Sequence, residues 1–137
     1  MTDASLPIQR AIVGALSAAA TVKALIGDPS RVYDRIPPGA LFPYVTYDHD
    51  QVIPDDGVDC DNGAEIFVTL SAWSRAEGRV EAKRVAAAVA VVLDAAIAVE
   101  GHVIVTHDVQ VQSLPLDPDG LTSHSLVVAH YQTAPAA

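Results

Sequence analysis

The stretch from Gly63 to Gly101 constrains the chain more than any other, because it sets a strand pattern directly against a long helix pattern. From Ala64 to Trp73, Glu65, Thr69 and Ser71 alternate with Ile66, Val68 and Leu70, the period of two expected of a strand with one buried face. Phe67 and Trp73 fall on the more polar side, so that side is not expected to be fully wet. Ser74-Arg75-Ala76-Glu77 then reads as a capping box, with the Ser74 hydroxyl and the Glu77 carboxylate each satisfying a backbone N–H of the other. The pattern predicts a helix from about Arg75 to about Val99, with Gly101 placed to end it.

The first turns of this helix are charged and the rest is almost free of polar groups. Val85, Val89, Val92, Leu93 and Ala96 share one face at ~100° per residue, while Val91 lies nearly opposite with Ala87, Ala88 and Ala98 nearby. A helix apolar almost all round is buried on more than one side. One side is expected on a sheet, and the other under the first helix or another subunit. The apolar run, about 15 residues interrupted by Asp94, falls short of the ~20 that a membrane span requires.

The remaining chain supplies the partners. A first helix is expected from about Leu6 to about Ile26, with Ile8, Ile12, Leu16, Ala19, Val22 and Ile26 on its apolar stripe and Gly27-Asp28-Pro29 as its stop. Arg31 to Ile36 can add a short edge strand, and Phe42 to Asp50 reads as a strand opening at a proline. After the long helix, His102 to Gln112 alternates with Val103, Val105, His107, Val109 and Val111 on one face. A last strand is expected from about Leu121 to about Gln132, leaving residues 133–137 as a loose end. The expected fold is a two-layer α+β sandwich in the order α-β-β-α-β-β, with a mainly antiparallel four-stranded sheet and two helices on one face. With 137 residues, half of them apolar, one domain over 1–137 is expected.

Charge and chemistry narrow the function. The net charge of −9 argues against a protein that clamps nucleic acid through a basic surface. Cys60 is the single cysteine, which excludes an internal disulfide and fits synthesis in a reducing compartment. The amino-terminal residues lack a signal-peptide pattern, so a soluble protein made in a cytoplasm is expected. Seven of the 17 acids fall between positions 48 and 65: Asp48, Asp50, Asp55, Asp56, Asp59, Asp61 and Glu65. The loop among them does not follow the EF-hand pattern, since Gly63 stands where an oxygen ligand is needed and no bidentate Glu follows. A solvated loop is the plainer reading. A ring of such loops would also repel passing DNA phosphates.

The five histidines show no compact ligand spacing. His124 and His130 can share a strand face, but ~20 Å apart. No nucleophile elbow, P-loop or dinucleotide fingerprint is present, and Cys60 sits among negative charges that disfavour its thiolate. No catalytic residue, metal ligand or cofactor is assigned. Arg75, Arg79 and Lys83 at i, i+4 and i+8 would line one helix face and could dock an acidic partner, including the acidic loop of a second copy. Positive charge near a helix N-terminus opposes the macrodipole, so Arg75 is not placed for helix stability.

Three segments, in this order and spacing, resemble one family. They are Val32-Tyr33-Asp34-Arg35-Ile36-Pro37 with Phe42-Pro43-Tyr44-Val45; Val68 to Arg75 running into Gly78-Arg79-Val80-Glu81-Ala82-Lys83; and Asp117-Pro118-Asp119-Gly120-Leu121-Thr122-Ser123-His124. Together they resemble the tail-completion proteins of long-tailed phages, prophages and gene transfer agents, over roughly Leu6 to Tyr131. The resemblance implies a non-enzymatic tail terminator without a cofactor. Such a protein forms a homo-oligomeric ring, typically of six, on the head-proximal end of the tail tube. There it stops tube polymerisation, offers a face to the head connector or stopper protein and lets DNA pass unbound through its lumen.

On that reading Arg75, Arg79 and Lys83, with strand edges near Tyr44 and Tyr131, are the expected interfaces. Asp55, Asp56, Asp59 and Asp61 would face the lumen or a neighbouring ring. The alternatives are a head–tail connector or minor tail protein, and, from a different class, a small cytoplasmic domain binding a divalent metal through the Asp loop.

Overall fold

A computed structural model describes residues 3–55, 63–95 and 97–136. The described elements run α1 (Ser5–Ala18), α2 (Ala20–Ile26), β1 (Val32–Tyr33), β2 (Tyr44–Asp55), β3 (Gly63–Ser74), α3 (Val80–Leu93), β4 (His102–Ser113) and β5 (Ser123–Pro135). The strands form one sheet in the order β1-β2-β3-β5-β4. β2, β3, β5 and β4 pair antiparallel in turn, whereas β1 pairs with β2 in parallel, Val32 opposite Val45 and Tyr33 opposite Thr46. This corrects the expected mainly antiparallel four-stranded sheet with two helices: the sheet is five-stranded and mixed, and the described helices are three. The Arg31–Ile36 segment does add an edge strand, and because it is two residues long it leaves most of β2 uncovered.

The third helix arises at Ala19. The first apolar stripe is continuous from Ile8 to Ile26, but Ala19 is extended (φ −75°, ψ 120°) and α1 and α2 meet at a 78° bend. An unbroken helix of that length would run on for about 30 Å at ~1.5 Å per residue. The bend lets Ile8, Ile12 and Leu16 of α1 and Val22 and Ile26 of α2 all bury in one core. Alanines on both sides of the break carry no local stop signal, so packing decides it. Among the described residues no single helix is long and apolar enough to cross a membrane.

α3 also departs from expectation. It begins at Val80 and ends at Leu93, inside the expected Arg75–Val99. Ser74 is the last residue of β3, paired with Ser123, and makes no capping box with Glu77. Its hydroxyl instead donates to Glu81 Oε1 (2.8 Å) and accepts the Ala76 N–H (3.1 Å). Gly78, at φ +77°, turns the chain into the helix, and Gly101, also at φ +77°, turns it into β4 rather than ending α3. Arg75 therefore lies on a loop, and the expected Arg75–Arg79–Lys83 stripe on one helix does not form.

The core lies between the helices and one face of the sheet. Ile66, Val68 and Leu70 of β3, Val127, Ala129 and Tyr131 of β5, and Val45 and Tyr47 of β2 meet Val85, Ala86, Val89 and Leu93 of α3 and the stripe of α1 and α2. At ~25 cal/mol per Å², burial of such side chains contributes roughly 1.5–3 kcal/mol each, which is the main force holding the layers together. Tyr131 is fully buried and its hydroxyl donates to the Leu93 carbonyl (2.9 Å) at the end of α3. Val91, by contrast, is 72% exposed. The helix is covered by the sheet and by α1 and α2, and its Val91 side stays open.

Among the described residues the opposite face of the sheet carries no helix, and it is partly dry, as the placement of Phe67 and Trp73 predicts. His124 stacks on Trp73 with ring centres 4.1 Å apart, and His130 stacks on Phe67 at 4.5 Å. Trp73 Nε1 donates to Thr46 Oγ1 (2.9 Å). A bulge between Tyr47 and His49 presents Asp48, whose carboxylate accepts from the hydroxyls of Thr46 and Ser71.

Candidate assembly interface

At one end of the sheet three loops converge on Arg75. The chain enters β2 through Phe42-Pro43, leaves β3 at Ser74, and enters β5 after Thr122. Arg75 joins all three: its guanidinium lies 4.6 Å over the Phe42 ring, and its Nε donates to Thr122 Oγ1 (3.2 Å). A cation over an aromatic face is attracted by the ring quadrupole, and the planar guanidinium leaves its edge free to hydrogen-bond. Phe42 packs in turn on Tyr44 (4.7 Å between centres), and Tyr44 on Tyr33 of β1 (5.7 Å). Burial pushes the Tyr44 phenol up from its ordinary pKa, against the opposing pull of Arg75.

The β4–β5 loop is fixed by Asp119. Its carboxylate accepts from the backbone N–H of Leu121 (2.8 Å) and of Thr122 (2.9 Å) and from the Thr122 hydroxyl (2.7 Å). These bonds, the Leu121 N–H first, hold the Asp119 carboxyl below its ordinary value, and the nearby Arg75 charge acts in the same direction. Ser123 Oγ donates to the Gly78 carbonyl (3.3 Å), tying the same loop to the approach to α3. A groove of about 280 Å³ opens between the loops, lined by Arg75, Glu77, Leu116 and Leu121 together with Ala76, Gly78 and Gly120.

This end is apolar as well as charged. Leu41 is 69% and Leu121 67% exposed, each next to a residue that touches Arg75, Leu116 is exposed in the groove with Leu121, and Val80 is exposed at the start of α3. Large apolar side chains grouped around arginine are the usual make-up of a protein-docking surface. Sequence reasoning missed Leu41, Leu116 and Leu121. The available signal was leucine in segments rich in proline and glycine, where no core face exists to receive it.

The structure sorts the expected interface residues as follows. Arg75 and Tyr44 come together at this end, Tyr44 buried behind Phe42 and Arg75 exposed. Arg79 occupies the position preceding α3 and Lys83 its first full turn, both exposed at the same end. Tyr131 is elsewhere: β5 lies between β3 and β4, so Tyr131 is on an interior strand inside the core and not at a strand edge. Asp55 ends β2, and Asp56, Asp59 and Asp61 lie outside the described residues. Among the described residues no three His, Cys, Asp or Glu side chains are grouped to hold a metal ion.

The sheet's far edge is a second surface. Among the described residues β4 pairs with β5 on one side only. A bulge between Ile104 and Thr106 breaks its alternation, so His107, Val109 and Val111 share one face, opposite Tyr131, Ala129 and Val127, while Val103 falls on the other; Ile104 and Val109 pack against the core, and Val103, Val105 and Val111 stay exposed. This corrects the reading that put Val103, Val105, His107, Val109 and Val111 on one face. Close by, His107 Nδ1 contacts Asp94 Oδ1 at 3.2 Å, at the end of α3.

The fold is one used by a virion component. A chain of the native gene transfer agent virion particle superposes with a TM-score of 0.76 at 24% identity, each chain covered to 95%. None of the curated proteins matches the sequence. The family model described as tail completion protein gp17 matches residues 10–133. The chain belongs to that family: it is a structural protein of the virion tail, as the three quoted segments suggested.

Proposed function

We propose that the protein is a tail terminator, a ring subunit that caps the head-proximal end of the tail tube, stops its polymerisation and offers a joining face to the head connector. The observation that carries this reading is a tail-completion subunit whose described surface is equipped for docking: exposed leucines grouped around Arg75 at one end. In this reading Arg75, Arg79 and Lys83 lie in subunit contacts, with Phe42 and Tyr44 as the aromatic backing of Arg75. The acidic residues Asp55, Asp56, Asp59 and Asp61 face the lumen or the next ring, where like charge keeps DNA phosphates from adhering. A ring of six is expected, since closed cyclic symmetry lets one kind of subunit cap a cylinder.

Native mass spectrometry across a concentration series, alone and with purified tail tubes, tests the ring. A closed hexamer, or hexamers bound at tube ends, is the expected result. A subunit that stays monomeric in both conditions would overturn it. Gold labelling of headless tails tests the location: label at the head-proximal tip supports the terminator, and label on the capsid side would make the protein a connector instead.

A further inference from the structure

The turn between β4 and β5 contains a dipeptide with chemistry of its own. Asp119-Gly120 sets a side-chain carboxyl beside a backbone nitrogen that no neighbouring side chain shields. In an open chain that nitrogen attacks Asp119 Cγ. The N–Cγ bond forms, a carboxyl oxygen leaves as water with the amide and carboxyl protons, and a cyclic imide results. Water then opens the imide. When it adds at the backbone carbonyl of Asp119, the bond from that carbon to the Gly120 nitrogen breaks, and the chain continues through the side chain as isoaspartate. Water is the only other reactant, and Asp119 and Gly120 are both exposed to it.

The turn itself demands this glycine. Gly120 lies at φ +71°, in the left-handed region that side chains disfavour. The reactive pair is therefore fixed by the backbone, and protection has to come from its surroundings. The Gly120 N–H donates to the Asp117 carbonyl (2.9 Å), which occupies the would-be nucleophile. The Asp119 carboxylate is held away from it: Oδ1 accepts from the Leu121 and Thr122 N–H groups, and Oδ2 accepts from the Thr122 hydroxyl. Those bonds, the Leu121 N–H first, also hold the carboxyl below its ordinary pKa. An ionised carboxylate is the poorer electrophile, because oxide does not leave. Thr122 is buried, and its Oγ1 accepts from Arg75 Nε (3.2 Å). Hydrogen bonds thus run from Arg75 through Thr122 to Asp119.

We propose that Asp119-Gly120 is a latent isoaspartate site, kept closed in the folded subunit by the hydrogen bonds that run from Arg75 through Thr122. Isomerisation lengthens the backbone by a carbon and moves the carboxylate. It would therefore spoil the turn and the groove that Gly120 and Leu121 line. A virion component is not renewed once its particle is built, so the durability of this turn bears on the working life of the particle.

Ageing of the whole chain at neutral pH tests this, with isoaspartate at position 119 counted by peptide mass spectrometry using electron-transfer fragmentation. The native parent should isomerise at least about tenfold more slowly than the same chain in urea, since the reaction waits for the turn to open. Thr122→Val removes the hydroxyl, keeps the shape and leaves the backbone bonds in place; its native rate should rise several-fold. Thr122→Ser should age like the parent. Arg75→Ala, a change at an exposed side chain, should raise the rate by less than Thr122→Val, and circular dichroism checks that each variant is folded. A native parent that ages as fast as the unfolded chain would overturn the proposal. Folded Thr122→Val and Arg75→Ala variants that age at the parent's rate would overturn it too, as would a Thr122→Ser variant that ages as fast as Thr122→Val.

Discussion

Arg75 holds two loops to the end of a strand with one guanidinium, and its removal is the sharpest residue-level test of that end. Arg75→Ala forfeits the stacking on Phe42 and the bond to Thr122, each worth on the order of 0.5–1.5 kcal/mol at a partly exposed site. A loss of about 1–2 kcal/mol in urea unfolding is expected, and Arg75→Lys should recover only part of it because an ammonium cannot stack and bond in one plane. Asp119 gives a pH test. Its folded pKa lies below the ordinary value of 3.8, so it contributes stability above that value and loses it as pH falls through the lower folded pKa. In Asp119→Asn the acid limb of stability below about pH 4 should flatten. An unchanged limb would mean that the three bonds to its carboxylate do not persist in solution. At this scale the sequence was a partial guide: it marked Arg75 as unhelpful to a helix, which holds, but placed it on one. Ser74 and Glu77 have the spacing of a capping box, yet Ser74 is claimed by the pairing of β3 with β5, a partner 49 positions away that local spacing does not reveal.

At the scale of elements, α3 separates burial from mere apolarity. Leu93 is fully buried and Val91 is 72% exposed on the same helix. Leu93→Ala should cost roughly 2–5 kcal/mol of monomer stability, and Val91→Ala less than about 0.5 kcal/mol; chemical denaturation at low concentration measures both. The apolar periodicity of α3 was legible because its inward face repeats at helical spacing. Its ends were not, since alanine and valine continue past Leu93 with no stop signal until Gly101. The bend at Ala19 was equally silent, being decided by where Val22 and Ile26 find the core. In β4 the even alternation of the sequence predicted one apolar face, and a single bulge moved half of it to the other side. A bulge shifts register by one residue and so flips every side chain beyond it, with no requirement for a special residue type.

For the whole molecule, the family was the legible part, because three spaced segments survive in the linear text. The parallel β1, the third helix and the gathering of leucines around Arg75 were not, because each depends on residues distant in sequence meeting in space. Association through Arg75, Arg79 and Lys83 should weaken as salt rises from 0.05 to 0.5 M, since the screening length falls from well over 10 Å to a few ångströms; sedimentation at fixed concentration reads this. A salt-insensitive oligomer would assign the contact to the apolar groups alone. The open edge of β4 carries one more consequence, for the cell rather than the particle. A strand of 12 residues with three exposed valines, and neither lysine nor proline along it, has only its bulge and Asp108 to guard it against pairing with strangers. Subunits made in excess of their docking places are then a solubility hazard, so the supply of this chain has to be matched to the number of tails under construction.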